Sequence, residues 1–153
     1  MVASTSSTAE ASGDGAAAVI VEAGHAAQGI RAFRLETYSE GRALCEIRAG
    51  GTRRNPRMGA EPRDYLFRMD GKAVFKLAAQ HIPAFLGQLM QHANCDLDSV
   101  DVVVPHQASH LGMAHTSKKL GLPNSKIIRI YETHGNQVAA SIPTALHEAH
   151  ITG

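Results

Sequence analysis

The sequence predicts a layered α/β fold, and three observations lead there. Short β-branched runs alternate with longer stretches of helical periodicity, the pattern that lays helices on a sheet. The clearest run, Val100–Asp101–Val102–Val103–Val104, stops at Pro105, which has no N–H with which to continue a ladder. A second run, Ile127–Ile128–Arg129–Ile130, leads into a polar cluster, His134–Gly135–Asn136.

Taken in order, residues 1–12 (MVASTSSTAEAS) are small and polar and are expected to be poorly ordered. Residues 13–153 are expected to form the folded domain. Gly13–Asp14–Gly15 opens a strand from Ala16 to Glu22, carried by Val19–Ile20–Val21. Gly29 to Tyr38 reads as the next strand. Residues 39–68 are irregular and rich in Gly and Arg, with room for a short strand from Ala43 to Arg48. Gly71 begins a long helix to Ala93. Val74, Phe75, Ala78, Ile82, Phe85, Leu86 and Leu89 fall on one apolar stripe, and Pro83 is expected to kink it. Asn94 to Ser99 is a turn, and Val100 to Val104 is the central, buried strand. Ala108 to Leu120 is a helix whose Lys118 and Lys119 suit its C-terminal dipole, and Gly121 and Pro123 stop it. Ile127 to Ile130 is a strand, and Gln137 to His150 a helix with Pro143 in its first turns.

The bulk numbers narrow the function classes. A hydrophobic content of 44% with 19% charged residues marks a globular chain. A net charge of +1 gives no argument for nucleic acid or an anionic membrane as partner. No apolar stretch is long enough to span a bilayer, and no leader peptide is visible at the start. Two cysteines, Cys45 and Cys95, do not make a disulfide framework, so a reducing cytoplasm is the expected location.

The chemistry centres on His106 and Asn136. Each follows a β-branched run and precedes a helical segment, and in open α/β sheets reactive groups gather at such strand ends. An imidazole N–H and an Asn amide are suitable donors to a developing oxyanion. Taken singly, His106 also reads as a helix cap and Asn136 as an N-cap. The motifs together are more specific. Pro105–His106–Gln107–Ala108 and His134–Gly135–Asn136, followed by Ala139–Ala140–Ser141–Ile142–Pro143, resemble in order and spacing the C-terminal half of a β-ketoacyl-acyl-carrier-protein synthase III, a thiolase-superfamily condensing enzyme. Gly13–Asp14–Gly15–Ala16 and the segment from Met69 to Lys76 (MDGKAVFK) are similar to two further segments of that family. The likeness runs from Gly13 to Gly153.

The resemblance implies a thiolase-like layered fold, C-terminal half, with a mixed sheet and helices packed on it. It also implies decarboxylative Claisen condensation of an acyl thioester with a malonyl thioester. His106 and Asn136 would stabilise the thioester oxyanion or enolate, and a cysteine from the N-terminal half would carry the acyl group. Gly71, Phe75, Ala108 and Ser109 would line the tunnel for the thioester arm. Acyl-CoA or an acyl carrier protein would be the partner, no cofactor or metal is implied, and the full-length form would be a homodimer. Neither Cys45, in a strand-like setting beside Glu46, nor Cys95, in a turn beside Asp96, has the helix-start setting of a reactive thiol. Against the family pattern the chain reads as truncated at both ends. A catalytically inactive fragment or interaction module of the same fold is therefore the alternative. Ser109 and Leu111 stand where the family often has Asn and Arg, which leaves carrier protein and coenzyme A equally open as donors.

Other patterns carry less. Phe75 fits the helix stripe as well as a ligand contact. Seven arginines between Arg42 and Arg68 are interleaved with Glu46, Glu61 and Asp64, as on a solvated loop. They could otherwise meet the phosphates of coenzyme A or an acidic carrier protein. His106, His110 and His115 lack the spacing and the intervening Glu of a helical zinc site. Gly13 to Ala18 fits a loose dinucleotide pattern, but a polar tail precedes it and a strand is expected to follow it, which is the wrong context.

Overall fold

The computed structural model of the chain describes residues 13–25, 29–107 and 110–152. They fall into two units. One is Ile30–Asn94, and the other joins the N-terminal stretch through Gly29 to Cys95–Gly153.

The first unit is built on the longest element, α1 (Gly71–Ala93). Its start is fixed by Asp70, whose side chain accepts the Ala73 N–H at 2.9 Å, satisfying one of the donors that a helix start leaves open. Its end is fixed by Asn94 in the left-handed conformation (φ 50°, ψ 48°), where Asn is tolerated better than most residues. Pro83 lies inside the helix without ending it. Two short strands, β1 (Cys45–Glu46) and β2 (Arg68–Met69), pair antiparallel with Cys45 opposite Met69. The Asp70 N–H donates to the Leu44 carbonyl at 2.8 Å, tying the helix cap to this clip. The strand expected over Ala43–Arg48 is thus two residues long. The loop between the strands turns through three short 3-10 helices and is held by Asp64, which is 4% exposed. Its carboxylate accepts Arg54 Nη1 at 2.5 Å and the Glu61 N–H at 3.1 Å, while its carbonyl accepts the Ala49 N–H.

The second unit has a small core of Met113, Leu122 and Ile127, with Leu97, Val103, Leu120 and Tyr131 packed against it. Around it lie α2 (His110–Leu120), α3 (Tyr131–His134) and α4 (Ser141–Thr152). Gly121, at φ 66°, turns the chain out of α2 as expected, and the buried Ser117 hydroxyl donates to the Leu122 carbonyl beyond it. The start expected for α2, at Ala108, lies outside the described residues, as does the segment 1–12.

The strands are where the structure departs from expectation. The central strand over Val100–Val104 and its neighbour over Ile127–Ile130 make a single parallel bridge, Val103 to Ile127. Val102 is 43% exposed rather than buried. Pairing on one side only, cut short by Pro105, leaves too few rungs for a ladder. The segments 16–22 and 29–38 form no strand. Ile20 and Leu35 stand 92% and 89% exposed, because β-branched and apolar residues become strands only where another strand and a packed face receive them. The helix expected from Gln137 begins at Ser141, since Val138 takes φ 54°, outside the right-handed helical region.

Candidate functional site: two loops at the end of one strand pair

His106 and Asn136 both belong to the second unit. His106 follows Pro105 directly as the chain leaves the bridge, and it is exposed. Between it and Ala108 and Ser109, which lie outside the described residues, stands Gln107, with 0% exposure. Its side-chain amide is fully engaged. Nε2 donates to the carbonyls of Pro105 at 2.8 Å and Ile128 at 3.2 Å, and Oε1 accepts the N–H groups of Ile130 at 2.9 Å and Tyr131 at 3.3 Å. The segment it holds runs through α3 to Gly135, whose N–H closes on the Tyr131 carbonyl.

Gly135 has φ 65° and ψ −166°, a region open essentially to glycine alone. The turn delivers Asn136 into a partly buried position with its side-chain oxygen already committed. Oδ1 accepts the Val138 N–H at 2.9 Å and lies 3.5 Å from the Ser141 hydroxyl. That orientation directs the Nδ2 donors away from these bonds. The capping expected of Asn136 and a donor role for its amide are therefore compatible, because they use opposite ends of the side chain.

The N-terminal Gly-Asp-Gly segment supports the same loop. The Gly13 N–H donates to the Asn136 carbonyl at 3.2 Å, and Gln137 Nε2 donates to the Asp14 carbonyl at 3.1 Å. A Cβ on Gly13 would overlap the His134 carbonyl oxygen, so this close approach requires glycine. On the other side, the Tyr131 hydroxyl meets His110 Nδ1 at 2.5 Å. Burial, followed by a hydrogen bond with Glu132, raises the Tyr131 hydroxyl above the ordinary phenol range.

Gly71 and Phe75 sit in the first turns of α1, in the other unit. Phe75 is half-exposed, and a Cβ on Gly71 would meet nothing closer than an ordinary contact, so space alone does not demand glycine there. Cys45 lies in β1 and Cys95 just beyond the end of α1. Among the described residues no group of three His, Cys, Asp or Glu side chains is placed to hold a metal ion. No described helix is long and apolar enough to cross a membrane.

Residues 90–153 match the model of the 3-oxoacyl-[acyl-carrier-protein] synthase III C-terminal family. The chain is 38% identical over 138 residues to a β-ketoacyl-[acyl-carrier-protein] synthase III of Sphingopyxis alaskensis, covering 88% of this chain and 40% of that one. It is 36% identical over 153 residues to a β-ketoacyl-[acyl-carrier-protein] synthase III of Streptomyces coelicolor, covering 96% and 45%. Among solved structures, the β-ketoacyl-[acyl carrier protein] synthase III of Thermus thermophilus superposes with a TM-score of 0.72 at 27% identity, over 84% of this chain and 39% of that one. The chain therefore has a thiolase-like fold, of which it spans less than half the length found in these relatives. Within that class, residues 90–153 are similar to the C-terminal region of 3-oxoacyl-[acyl-carrier-protein] synthase III proteins.

Proposed function

We propose that the chain supplies the His106–Asn136 part of the catalytic site of an acyltransferase that condenses an acyl thioester with a malonyl thioester. The observation that supports this reading is the committed Asn136 Oδ1, which leaves its Nδ2 donors unused by these bonds and available to a ligand. In the reaction the bond between the malonyl methylene carbon and its carboxylate breaks and carbon dioxide leaves. The electron pair stays as an enolate, and its oxygen gains charge. Donors from His106 and Asn136 stabilise that oxygen. The enolate carbon then attacks an acyl thioester carbonyl on a cysteine outside this chain, and the thiolate is the leaving group. The thioester arm is carried by an acyl carrier protein or by coenzyme A. Gly71, Phe75, Ala108 and Ser109 are proposed to line its path, and the complete enzyme is proposed to be a homodimer.

The decarboxylation step needs no cysteine, so it can be tested on this chain. Purified protein with malonyl-CoA is expected to release acetyl-CoA, and each of His106→Ala and Asn136→Ala is expected to slow it about 10²–10³-fold, the usual worth of one oxyanion donor. Equal rates in all three proteins would sink the assignment. Condensation with an acyl-CoA is expected to be absent.

A second reading has its own support. Val19, Ile20 and Val21 in one unit, and separately Ile30, Phe33 and Leu35 in the other, are exposed apolar residues. On that reading the chain is an interaction module that works by covering such segments. Size-exclusion chromatography at several concentrations separates the two, since a concentration-independent monomer argues against the module.

A further inference from the structure

The bridge between Val103 and Ile127 follows ordinary parallel pairing. The Val103 N–H donates to the Lys126 carbonyl at 2.7 Å, and the Ile128 N–H donates to the Val103 carbonyl at 3.1 Å. In a regular parallel ladder the next rung lies two residues on. Residue 105 would then donate its N–H to the Ile128 carbonyl and accept the Ile130 N–H. Residue 105 is proline and has no N–H to give. The rung nevertheless exists. Gln107 Nε2 donates to the Ile128 carbonyl, and Gln107 Oε1 accepts the Ile130 N–H. A primary amide has the same donor and acceptor groups as a peptide unit, and here it occupies both ends of the rung. Its second hydrogen meets the Pro105 carbonyl, and its second lone pair meets the Tyr131 N–H. A flipped amide would face donors with donors and acceptors with acceptors, so the orientation is fixed by the four partners.

We infer that Gln107 is a positioning residue, whose buried amide replaces the peptide unit that Pro105 withholds from the parallel pairing and thereby locks the strand end bearing His106 to the segment leading to Asn136. The inference rests on the reading of His106 and Asn136 as the working pair. The substitution has a purpose that a backbone rung could not serve. With the backbone at residue 105 continuing the ladder, residue 106 would stay in register as one more strand residue. With a side chain making the rung, the backbone from Pro105 to Gln107 leaves the pairing without stranding the polar groups of Ile128 and Ile130. His106 is then carried outward on a segment pinned on both sides. Other side chains fail for separate reasons. Leucine fills the space but offers no polar group, and glutamate presents a second acceptor where two carbonyls already point.

The glutamate case provides the test. A carboxyl introduced by Gln107→Glu would lie buried against two carbonyl oxygens, which raises its pKa above the unfolded value of about 4.3. A group raised in the folded state supports the structure below its unfolded pKa and loses that support as the pH rises through its folded pKa. The acid form can donate to the Ile128 or Pro105 carbonyl, and the ionised form cannot. The titratable or charged groups on the segments that Gln107 bonds are His106, Arg129, Tyr131 and Glu132, with His110 on the Tyr131 ring, so the wild-type protein at each pH is the control.

The measurement is amide exchange followed by NMR on the whole chain, with the Asn136 side-chain amide and the Val138 N–H as reporters of the site. In Gln107→Leu the Ile130 and Tyr131 N–H groups are expected to exchange at least about tenfold faster, since each loses its acceptor. The Asn136 amide resonances are expected to shift with them. In Gln107→Glu both reporters are expected to return toward wild type as the pH falls from 8 to 5, within one folded protein. Malonyl-CoA decarboxylation by Gln107→Glu is expected to follow the same profile in kcat, with KM unchanged. Unchanged exchange at Ile130 in Gln107→Leu would overturn the rung. Faster exchange at Ile130 with the Asn136 and Val138 signals unmoved at every pH would overturn the positioning role. A wild-type protein that does not decarboxylate malonyl-CoA would remove the catalytic reading, while the NMR outcomes would still decide whether Gln107 positions Asn136.

Discussion

Each unit of this protein holds an irregular stretch in place with one buried polar side chain, and the two choices differ. In the unit of Ile30–Asn94 it is Asp64, a carboxylate that gathers Arg54 and the Glu61 N–H into a loop of turns. In the other it is Gln107, a neutral amide with two donors and two acceptors, all used on backbone. A carboxylate can only accept, so it suits a loop that presents N–H groups and a cation. A strand end presents carbonyls and N–H groups alternately, and only an amide matches both. Neutrality also adds no fixed charge next to His106, which suits the proposed stabilisation of an oxyanion.

The comparison can be broken by removing each clamp. Gln107→Ala is expected to have the largest effect, about 3–5 kcal/mol, because more than one buried group loses its partner at about 1–3 kcal/mol each. Asp64→Ala is expected to cost about 2–3 kcal/mol, the worth of hydrogen bonds to a charged group, since Arg54 is half-exposed and can return to water. Urea unfolding of both variants would give the order, and a larger loss for Asp64→Ala would reverse the ranking of the two clamps. Next comes Gly13→Ala, expected to cost about 1–3 kcal/mol through the clash of the new methyl group with the His134 carbonyl. The Asn136 loop, and not α1, should be what loosens, which amide exchange would resolve. Smallest is Val138→Gly. Val138 is 71% exposed and sits at φ 54°, so glycine relieves strain at little packing loss, with an expected gain of about 0.5–1 kcal/mol in thermal unfolding.

Helices were the most legible part of the sequence. The span of α1 followed from its apolar stripe, and the structure places local caps, Asp70 and Asn94, at its ends. Strands were the least legible. Val19–Ile20–Val21 has strand composition, but composition carries no information on whether a neighbour is present to accept its hydrogen bonds. At the site, the signals for His106 and Asn136 lay in motif and spacing. Gln107 was read only as one letter of its motif. Proline directly before the histidine was the available clue, since a missing N–H at a strand end leaves a carbonyl that something must satisfy. Gly13 could not be read this way, because what crowds it lies far along the chain.

That distance has a consequence for the order in which the molecule assembles. The contact between Asp14 and Gln137 joins residues 123 positions apart, whereas the turns of α2 and the Ser117 bond to Leu122 close over a few residues. The entropic cost of closing a loop grows with its length, so short loops close early and the longest close late. The Asn136 turn therefore forms its glycine turn and its cap locally, and it gains its outer wall late, when the Gly13–Asp14 segment docks across the intervening chain.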